Sequence, residues 1–175
     1  MTLQEHVDAQ TYDKGYQDIE CLNRIGYTES FKSWKNMKKL KVNWKGKVVC
    51  DLGCFHSYFG IKAAEEGAIK IFALDRHPDV LVTSQLLYDA EDKGDKVTHL
   101  QWEGGQPTPT CDIALVLNML HHTDDMEETL KNIRCHQAIF EINIPEMLLI
   151  SKYFKRLVSA ASHRENRMIV FMEKL

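Results

Sequence analysis

The chain has 175 residues, of which 44% are hydrophobic and 27% are charged, and this length supports one substantial core rather than two independent domains. Lysine and arginine number 22 against 25 aspartate and glutamate, so the formal net charge of -3 excludes a globally basic nucleic-acid-binding protein. The longest apolar runs fall far short of the roughly 20 residues that span a bilayer, and the N-terminus lacks the pattern of a secretory signal. We therefore expect no membrane partner.

The five cysteines are spread along the chain without a C-x-x-C pair, which is typical of a protein from the reducing cytosol. Cys50 and Cys54 lie close in sequence, but no second pair of ligands is present to complete a tetrahedral zinc site. We expect a cytoplasmic protein without a metal site.

Residues 1–45 contain no strand-like run, but residues 16–25 and 29–40 show helical spacing of their apolar side chains. In the second stretch most lysines lie off the apolar face, which predicts an amphipathic helix. We interpret residues 1–45 as an N-terminal helical lid or acceptor segment and residues 46–175 as the main domain.

In the main domain, short apolar runs alternate with stretches of helical spacing, a pattern that predicts βαβ units and a parallel sheet. Pro145 opens the last helical stretch, PEMLLISKYFKRL, which we predict as one helix. An apolar run at the end of the chain predicts a final strand. The predicted strands are KVVCDL, IKIFALD, KVTHLQW, CDIALVLN, QAIFEIN and RMIVFMEK.

Each of the first two predicted strands has an aspartate at or next to its carboxyl end. Asp51 and Gly53 follow the first apolar run, and Asp75 closes the second, 22 residues after Gly53. A strand that passes into a helix through a glycine turn presents N–H groups and a carboxylate at the edge where open α/β sheets bind ligands. A carboxylate ending the next strand can accept hydrogen bonds from two ribose hydroxyls. The pattern predicts a nucleoside-containing cofactor.

The glycine spacing discriminates between such cofactors. A dinucleotide site needs G-x-G-x-x-G, whereas Phe55 and Tyr58 stand at the second and third positions, which excludes a pyrophosphate site. The D-L-G-C-F stretch at residues 51–55 instead resembles motif I of the class I S-adenosylmethionine-dependent methyltransferases, usually D-L-G-C-G-x-G. The run DIALVLNMLHH at residues 112–122 is similar to the fourth strand of that family and its L-x-x-L-H-H run.

The resemblance covers about residues 45–175. It implies a single-domain, Rossmann-like α/β fold: a mostly parallel, seven-stranded sheet with one antiparallel strand, flanked by helices. We expect residues 167–173 to form the antiparallel strand. The implied activity is methyl transfer from S-adenosylmethionine, bound at the carboxyl ends of the first two strands.

Two positions depart from the usual motif. Phe55 replaces its second glycine, as in a branch of the family with the form D-L-G-C-F-x-G, where the aromatic ring would pack against the cofactor. Ser57 replaces the third glycine. Its hydroxyl is expected to cap the helix that follows, and the alternative is that it crowds the methionine end of the cofactor.

The resemblance implies a role for each residue of motif I and the strand after it. Asp51 would contact the amino acid end of the cofactor, directly or through water. Gly53 and Cys54 would form its backbone wall, with Phe55 packed beside them. Asp75 would bind the ribose.

The remaining implied cofactor residues follow the later strands. Arg76 would lie against the adenine face, and Glu103 would approach the adenine amino group with Trp102 nearby. Asn118 and Met119, at the end of the fourth strand, would line the cleft between cofactor and acceptor.

Two histidines, His121 and His122, follow the fourth strand. One of them could orient an acceptor or remove its proton, because imidazole titrates near neutrality. In the alternative interpretation, one is packed to fix the loop and the other is solvated.

A basic run from Lys32 to Lys47 contains seven lysines and no acid, interleaved with Trp34 and Trp44. Such a surface could hold phosphates and offer indoles for base stacking, or it could be a solvated helix face. Aromatic residues of the N-terminal segment could form part of a lid over the cofactor. They are Tyr12, Tyr16 and Tyr27.

The sequence therefore predicts an S-adenosylmethionine-dependent methyltransferase that acts on a small-molecule acceptor. One alternative is an RNA (tRNA-like) methyltransferase that uses the basic run from Lys32 to Lys47. Another is a cofactor-binding partner subunit without transfer activity, for which the serine at position 57 is the main support. The sequence identifies neither the acceptor nor an oligomeric state.

Overall fold

The computed structural model describes residues 2–10 and 15–175, and within these ranges seven strands form one sheet flanked by helices. The strands are β1 (Val48–Leu52), β2 (Lys70–Asp75), β3 (Val97–Gln101), β4 (Cys111–Leu117), β5 (Cys135–Asn143), β6 (Phe154–Ala161) and β7 (Arg167–Lys174). The helices are α1 (Leu3–Ala9), α2 (Ser30–Met37), α3 (Tyr58–Glu65), α4 (Pro78–Ala90), α5 (Met126–Asn132) and α6 (Ile144–Ile150).

The strand order across the sheet is β3-β2-β1-β4-β5-β7-β6. Strands β1 to β5 are parallel, and β7 is antiparallel to both of its neighbours, β5 and β6. This architecture confirms the predicted fold class. The order reverses between β1 and β4, and open α/β sheets bind ligands at the carboxyl side of such a reversal.

The central strands form because their sequences are apolar on both faces, as expected where helices cover a parallel sheet on both sides. All but the first residue of β1 are buried, and most of β4 is buried as well. Asp51 pairs in register with Ala73 of β2 and with Leu115 of β4. Its carboxylate is therefore an exception within an otherwise apolar layer.

The prediction of one helix from Pro145 onward is wrong for the second half of that stretch. Helix α6 starts at a capping box in which Asn143 and Glu146 satisfy each other's backbone N–H groups, and it ends at Ile150. The chain then turns and pairs with β7 as the edge strand β6. Five consecutive residues of β6 are exposed, so the strand has no alternating apolar pattern by which to recognise it.

The helix predicted for residues 16–25 is also wrong. An isolated bridge joins Ile19 and Arg24 around a single 3-10 turn, and Asn23 adopts a left-handed conformation with φ of 51°. Asparagine tolerates this region better than most residues, so the chain reverses here instead of continuing a helix. Helix α1, which opens with a capping box at Thr2, was not predicted.

The helix predicted for residues 29–40 is present as α2, extended by a 3-10 turn at Lys38–Leu40. Trp34 and Met37 are buried in the hydrophobic cluster that also contains residues of β1, α3 and β2. The rings of Trp34 and Trp44 lie 5.7 Å apart. Helix α2 therefore shares the main core and does not form a separate layer.

All five cysteines are free thiols. Among residues 2–10 and 15–175, no three His, Cys, Asp or Glu side chains converge in a way that could hold a metal ion. None of the helices described in those ranges has the length and apolar composition needed to cross a membrane.

We predict that Trp34→Ala destabilises the whole molecule by about 3–5 kcal/mol, because it removes a buried indole from the main core. Chemical denaturation followed by far-ultraviolet circular dichroism measures this loss. The control, Lys35→Ala, changes an exposed side chain of the same helix and should stay within about 0.5 kcal/mol of the parent. A Trp34→Ala protein whose main transition is unmoved would show that α2 does not contribute to the common core.

Candidate functional site

A cleft of about 320 Å³ opens at the carboxyl edge of the sheet, between the ends of the parallel strands and the N-terminal segment. It brings together ten of the twelve residues predicted from the sequence; Cys54 and His121 are not among its lining residues. The predicted residues that line it are Asp51, Gly53, Phe55, Asp75, Arg76, Trp102, Glu103, Asn118, Met119 and His122.

The turn between β1 and α3 has an unusual backbone. Gly53, Phe55 and Ser57 have φ values of 67°, 51° and 60°, at the three positions where the usual motif carries glycine. This region favours glycine, and other residues adopt it at a cost of roughly 1–2 kcal/mol each. The N–H of Cys54 donates to the carbonyl of Leu74 at 2.9 Å, which ties the turn to β2.

Ser57 does not cap helix α3, so the predicted role of its hydroxyl is wrong. Its left-handed backbone turns the side chain toward α4, where Ser57 Oγ and Ser84 Oγ are hydrogen-bonded at 2.5 Å. Ser84 Oγ also lies 2.7 Å from His99 Nε2. Ser57 is fully buried and lies outside the residues that line the cleft.

Cys54 is also turned away from the cleft. Its side chain is buried, and burial raises the pKa of the thiol well above its ordinary value. Because its N–H is already paired with Leu74, Cys54 offers the cleft neither a thiolate nor a free donor.

Asp75 is held by two backbone donors at the end of β2. Phe55 N donates to its Oδ2 and His77 N donates to its Oδ1, both at 3.1 Å. An ionised carboxylate has about four lone-pair sites, so each oxygen can still accept one more hydrogen bond. The carboxylate is only 7% exposed and presents that capacity to the cleft.

Asp51 is only 3% exposed, and its Oδ2 accepts no hydrogen bond from any residue that the structure describes. Burial raises the pKa of Asp51 to about 7; the backbone N–H of Gly60 opposes this shift and the negative charge of Asp75 adds to it. A buried carboxyl of this kind ionises most readily when a cation is placed beside it.

At the β3 end of the cleft, Trp102 is held by two hydrogen bonds. Its backbone N–H donates to the carbonyl of Asp75 at 2.9 Å, and its Nε1 donates to the carbonyl of Gln106 at 3.0 Å. The Gln106 side chain accepts from the N–H of Glu103. Arg76 and Glu103 are exposed at the mouth, so this end combines an apolar ring with two charged side chains.

At the β4 end, Asn118 has a left-handed backbone with φ of 57° and donates from Nδ2 to the hydroxyl of Tyr16 at 2.9 Å. Its Oδ1 is buried with no partner in the described part of the chain. The ring of Tyr16 contacts those of Phe55 and Tyr27 edge-on. Of the predicted lid residues, Tyr16 lines the cleft, Tyr27 is 66% exposed and Tyr12 lies outside the described residues.

The two histidines after β4 lie in different surroundings. His122 lines the cleft, whereas Nδ1 of His121 lies 3.5 Å from Oε1 of Glu146 in α6. Burial and the neighbouring His122 lower the pKa of His121. Only His122 is positioned to reach a molecule in the cleft.

Several residues of the cleft were not predicted from the sequence. Glu141 is 2% exposed and lies near the end of β5, and Arg164 lies in the connection between β6 and β7. Thr28 and Ser30 come from the N-terminal segment. Glu141 could have been recognised, because an acid inside the apolar run QAIFEIN repeats the pattern that drew attention to Asp51 and Asp75.

The interpretation of the basic run as a stacking surface is wrong in one respect. Trp34 and Trp44 are each only 6% exposed and pack on each other, so their indoles are not available to nucleic-acid bases. Three of the lysines form ion pairs, Lys32 with Glu29, Lys38 with Glu66 and Lys47 with Asp112. The others remain as a solvated basic face.

No protein-family model and no curated protein sequence matches the chain. Solved structures do match it. The N-methyltransferase NodS from Bradyrhizobium japonicum WM9, in complex with S-adenosyl-L-homocysteine, is 10% identical with a TM-score of 0.70, over 98% of this chain and 96% of that one. An S-adenosylmethionine-dependent methyltransferase from Mesorhizobium loti is 12% identical with a TM-score of 0.69, over 82% of this chain and 98% of that one.

Magnesium protoporphyrin IX methyltransferase (ChlM) from Synechocystis PCC 6803, with bound S-adenosylmethionine, is 16% identical with a TM-score of 0.63, over 85% of this chain and 78% of that one. At such identities the likeness concerns the fold, and function must be argued from the site. The chain thus has the Rossmann-like fold of S-adenosylmethionine-dependent methyltransferases, with its cleft at the carboxyl edge of the sheet.

Proposed function

We propose that the chain is an S-adenosylmethionine-dependent methyltransferase whose cofactor binds in the cleft and whose acceptor is a small molecule. The observation that carries the proposal is the convergence of two buried carboxylates, Asp51 and Asp75, on one edge of this fold. One has an oxygen without a donor among the described residues, and the other has spare acceptor capacity.

The residues present fit the cofactor. The carboxylate of Asp51, which lines the cleft, matches the cationic amino group of a methionine moiety, and the spare lone pairs of Asp75 match ribose hydroxyls. Trp102 offers an apolar wall for adenine at the β3 end. Gly53 has a left-handed backbone with φ of 67° and lies close to Met119. A side chain at this position would therefore have little space.

When bound, S-adenosylmethionine supplies an electrophilic methyl group on a sulfonium centre. The chain's own contribution is then to position the acceptor, because a reacting nucleophile must be held about 3–3.5 Å from its target in line with the breaking bond. Asn118 and Tyr16, hydrogen-bonded to each other, are suited to limit water at the β4 end. No covalent intermediate on the protein is required.

Two features support a small acceptor over RNA. The cleft is partly covered by the N-terminal segment through Tyr16 and Thr28, which suits a molecule that can be enclosed. The basic run lacks exposed indoles and directs Lys32 and Lys38 to acidic neighbours.

The alternative of a partner subunit without transfer activity loses its main support. Ser57 adopts the same left-handed conformation that glycine provides in the usual motif, and its side chain points away from the cleft. A serine at this position therefore does not by itself obstruct a cofactor.

We expect Asp75→Ala to weaken S-adenosylhomocysteine binding by about 1–3 kcal/mol in titration calorimetry, the usual cost of losing hydrogen bonds to a charged group. Asp75→Asn should lose less, because it keeps one acceptor oxygen. Asp95→Asn changes an exposed acid away from the cleft and serves as the control. Binding of NAD in place of S-adenosylhomocysteine would refute the proposed cofactor.

Affinity for S-adenosylhomocysteine should rise between pH 6 and 7.5. Because the pKa of Asp51 is raised to about 7, this carboxyl is mostly neutral at pH 6 and loses its proton as the pH increases. Only the ionised form attracts the ligand's ammonium group, so Kd should fall by roughly eightfold over this interval. Asp51→Asn should bind weakly and without this dependence; a wild-type affinity that is flat or falls with pH contradicts the assignment.

The RNA alternative can be tested with the basic run from Lys32 to Lys47. We expect no tight, salt-sensitive retention of RNA in gel shifts at low salt. Replacing Lys35, Lys38 and Lys39 together by alanine should leave the RNA mobility unchanged. If RNA were the acceptor, affinity would fall steeply with salt and the triple variant would weaken binding across sequences. In that case S-adenosylhomocysteine affinity would remain unchanged.

A further inference from the structure

The cleft extends past the residues proposed to hold the cofactor. Asp75 and Trp102 lie at the β2 and β3 end, whereas Glu141 lies on β5, two strand positions beyond β1. Neighbouring strands are about 4.8 Å apart, so Glu141 lies roughly 10 Å along the edge from the end of β1. Glu141 pairs in register with Leu117, and its carbonyl accepts from the N–H of Asn118 at 3.3 Å. It therefore borders the β4 end of the cleft.

The carboxylate of Glu141 is held from one side. Ser162 Oγ donates to Oε1 at 2.5 Å and Ser33 Oγ donates to the same oxygen at 3.4 Å. His163 steadies this arrangement, with Nδ1 at 3.3 Å from Ser33 Oγ and Nε2 at 3.0 Å from the carbonyl of Thr28. Oε2 receives no hydrogen bond from the described residues. A side chain 2% exposed thus keeps one oxygen available at the cleft.

A positive charge lies on the same end of the cleft. Arg164 lines it and is partly buried, and its backbone N–H donates to Ser162 Oγ at 3.0 Å. Its guanidinium forms no ion pair with Glu141 or with any other acid in the described part of the chain. Arginine pairs with carboxylates and phosphates in a bidentate geometry, so an unpaired guanidinium in a cleft suits an anionic group of a ligand.

We propose that Glu141 and Arg164 form the acceptor subsite, and that the acceptor is a small zwitterion carrying an amine and a carboxylate or phosphate. The inference rests on the proposed methyltransferase function. The anionic group pairs with Arg164, and the ammonium donates a hydrogen bond to Oε2 of Glu141. One proton then moves from the acceptor nitrogen to Oε2, which leaves a neutral amine with a free lone pair and a neutral Glu141 carboxyl.

The first experiment measures binding in the absence of turnover. Protein saturated with S-adenosylhomocysteine is screened by saturation-transfer NMR against the common free amino acids and O-phosphoethanolamine. Each zwitterion that binds is compared with an analogue that lacks the anionic group, such as the amide of an amino acid, and with one that lacks the amine, such as the corresponding hydroxy acid. We expect at least one zwitterion to bind and both analogues to bind more weakly.

The second experiment follows S-adenosylhomocysteine release from S-adenosylmethionine with the zwitterion so identified. Glu141→Gln should lower kcat by roughly 100-fold or more, the range for losing a general base. Arg164→Ala should mainly raise KM, by roughly 10- to 100-fold, the range for losing a charged hydrogen bond. The exposed neighbours supply matched controls, Glu165→Gln and Arg156→Ala, which should behave as wild type.

Both cleft variants should keep their S-adenosylhomocysteine affinity within about twofold, which also verifies that they fold. The inference is overturned if no zwitterion binds the saturated protein, if only hydroxyl compounds or RNA accept the methyl group, or if either variant turns over normally. If the wild-type protein fails to bind S-adenosylhomocysteine, the proposed function itself is refuted.

Discussion

The turn that follows β1 is the constraint on which the site depends. Within five residues the chain must leave a buried strand and begin helix α3, and it does so with left-handed backbone at Gly53, Phe55 and Ser57. The same turn supplies the N–H of Phe55 that holds Asp75 on the neighbouring strand. Two of these positions carry a strain of roughly 1–2 kcal/mol each that glycine would avoid, and it is offset by contacts such as that of Phe55 with Tyr16.

The sequence predicts the central parallel strands well because they are buried on both faces and read as apolar runs. It fails where burial is one-sided or local geometry prevails. The edge strand β6 has exposed residues at most positions and follows a true helix, so its sequence reads as a helical continuation. Residues 16–25 have helical spacing, yet the left-handed Asn23 makes the chain fold back.

The candidate site divides in the same way. Residues at the carboxyl ends of strands, such as Asp51 and Asp75, can be located from the sequence because parallel strands bring these ends to one edge. Thr28, Glu141 and Arg164 are more than 20 residues apart, and only the sheet order and the β6–β7 connection bring them together. The opposite charges of Glu141 and Arg164 meet only through the topology, so no local sequence pattern reveals them.

The positions of the three tryptophans give the molecule separate optical signals. Trp34 and Trp44 are packed against each other in the core beneath helix α2, whereas Trp102 lines the cleft with its indole N–H fixed to the carbonyl of Gln106. Indole fluorescence responds to the polarity around the ring, so Trp102 should respond to whatever occupies the cleft beside it, while the other pair should respond only to the integrity of the core. A protein that keeps Trp102 as its single tryptophan, with phenylalanine at the other two positions, would therefore carry an intrinsic reporter of cleft occupancy that needs no attached dye.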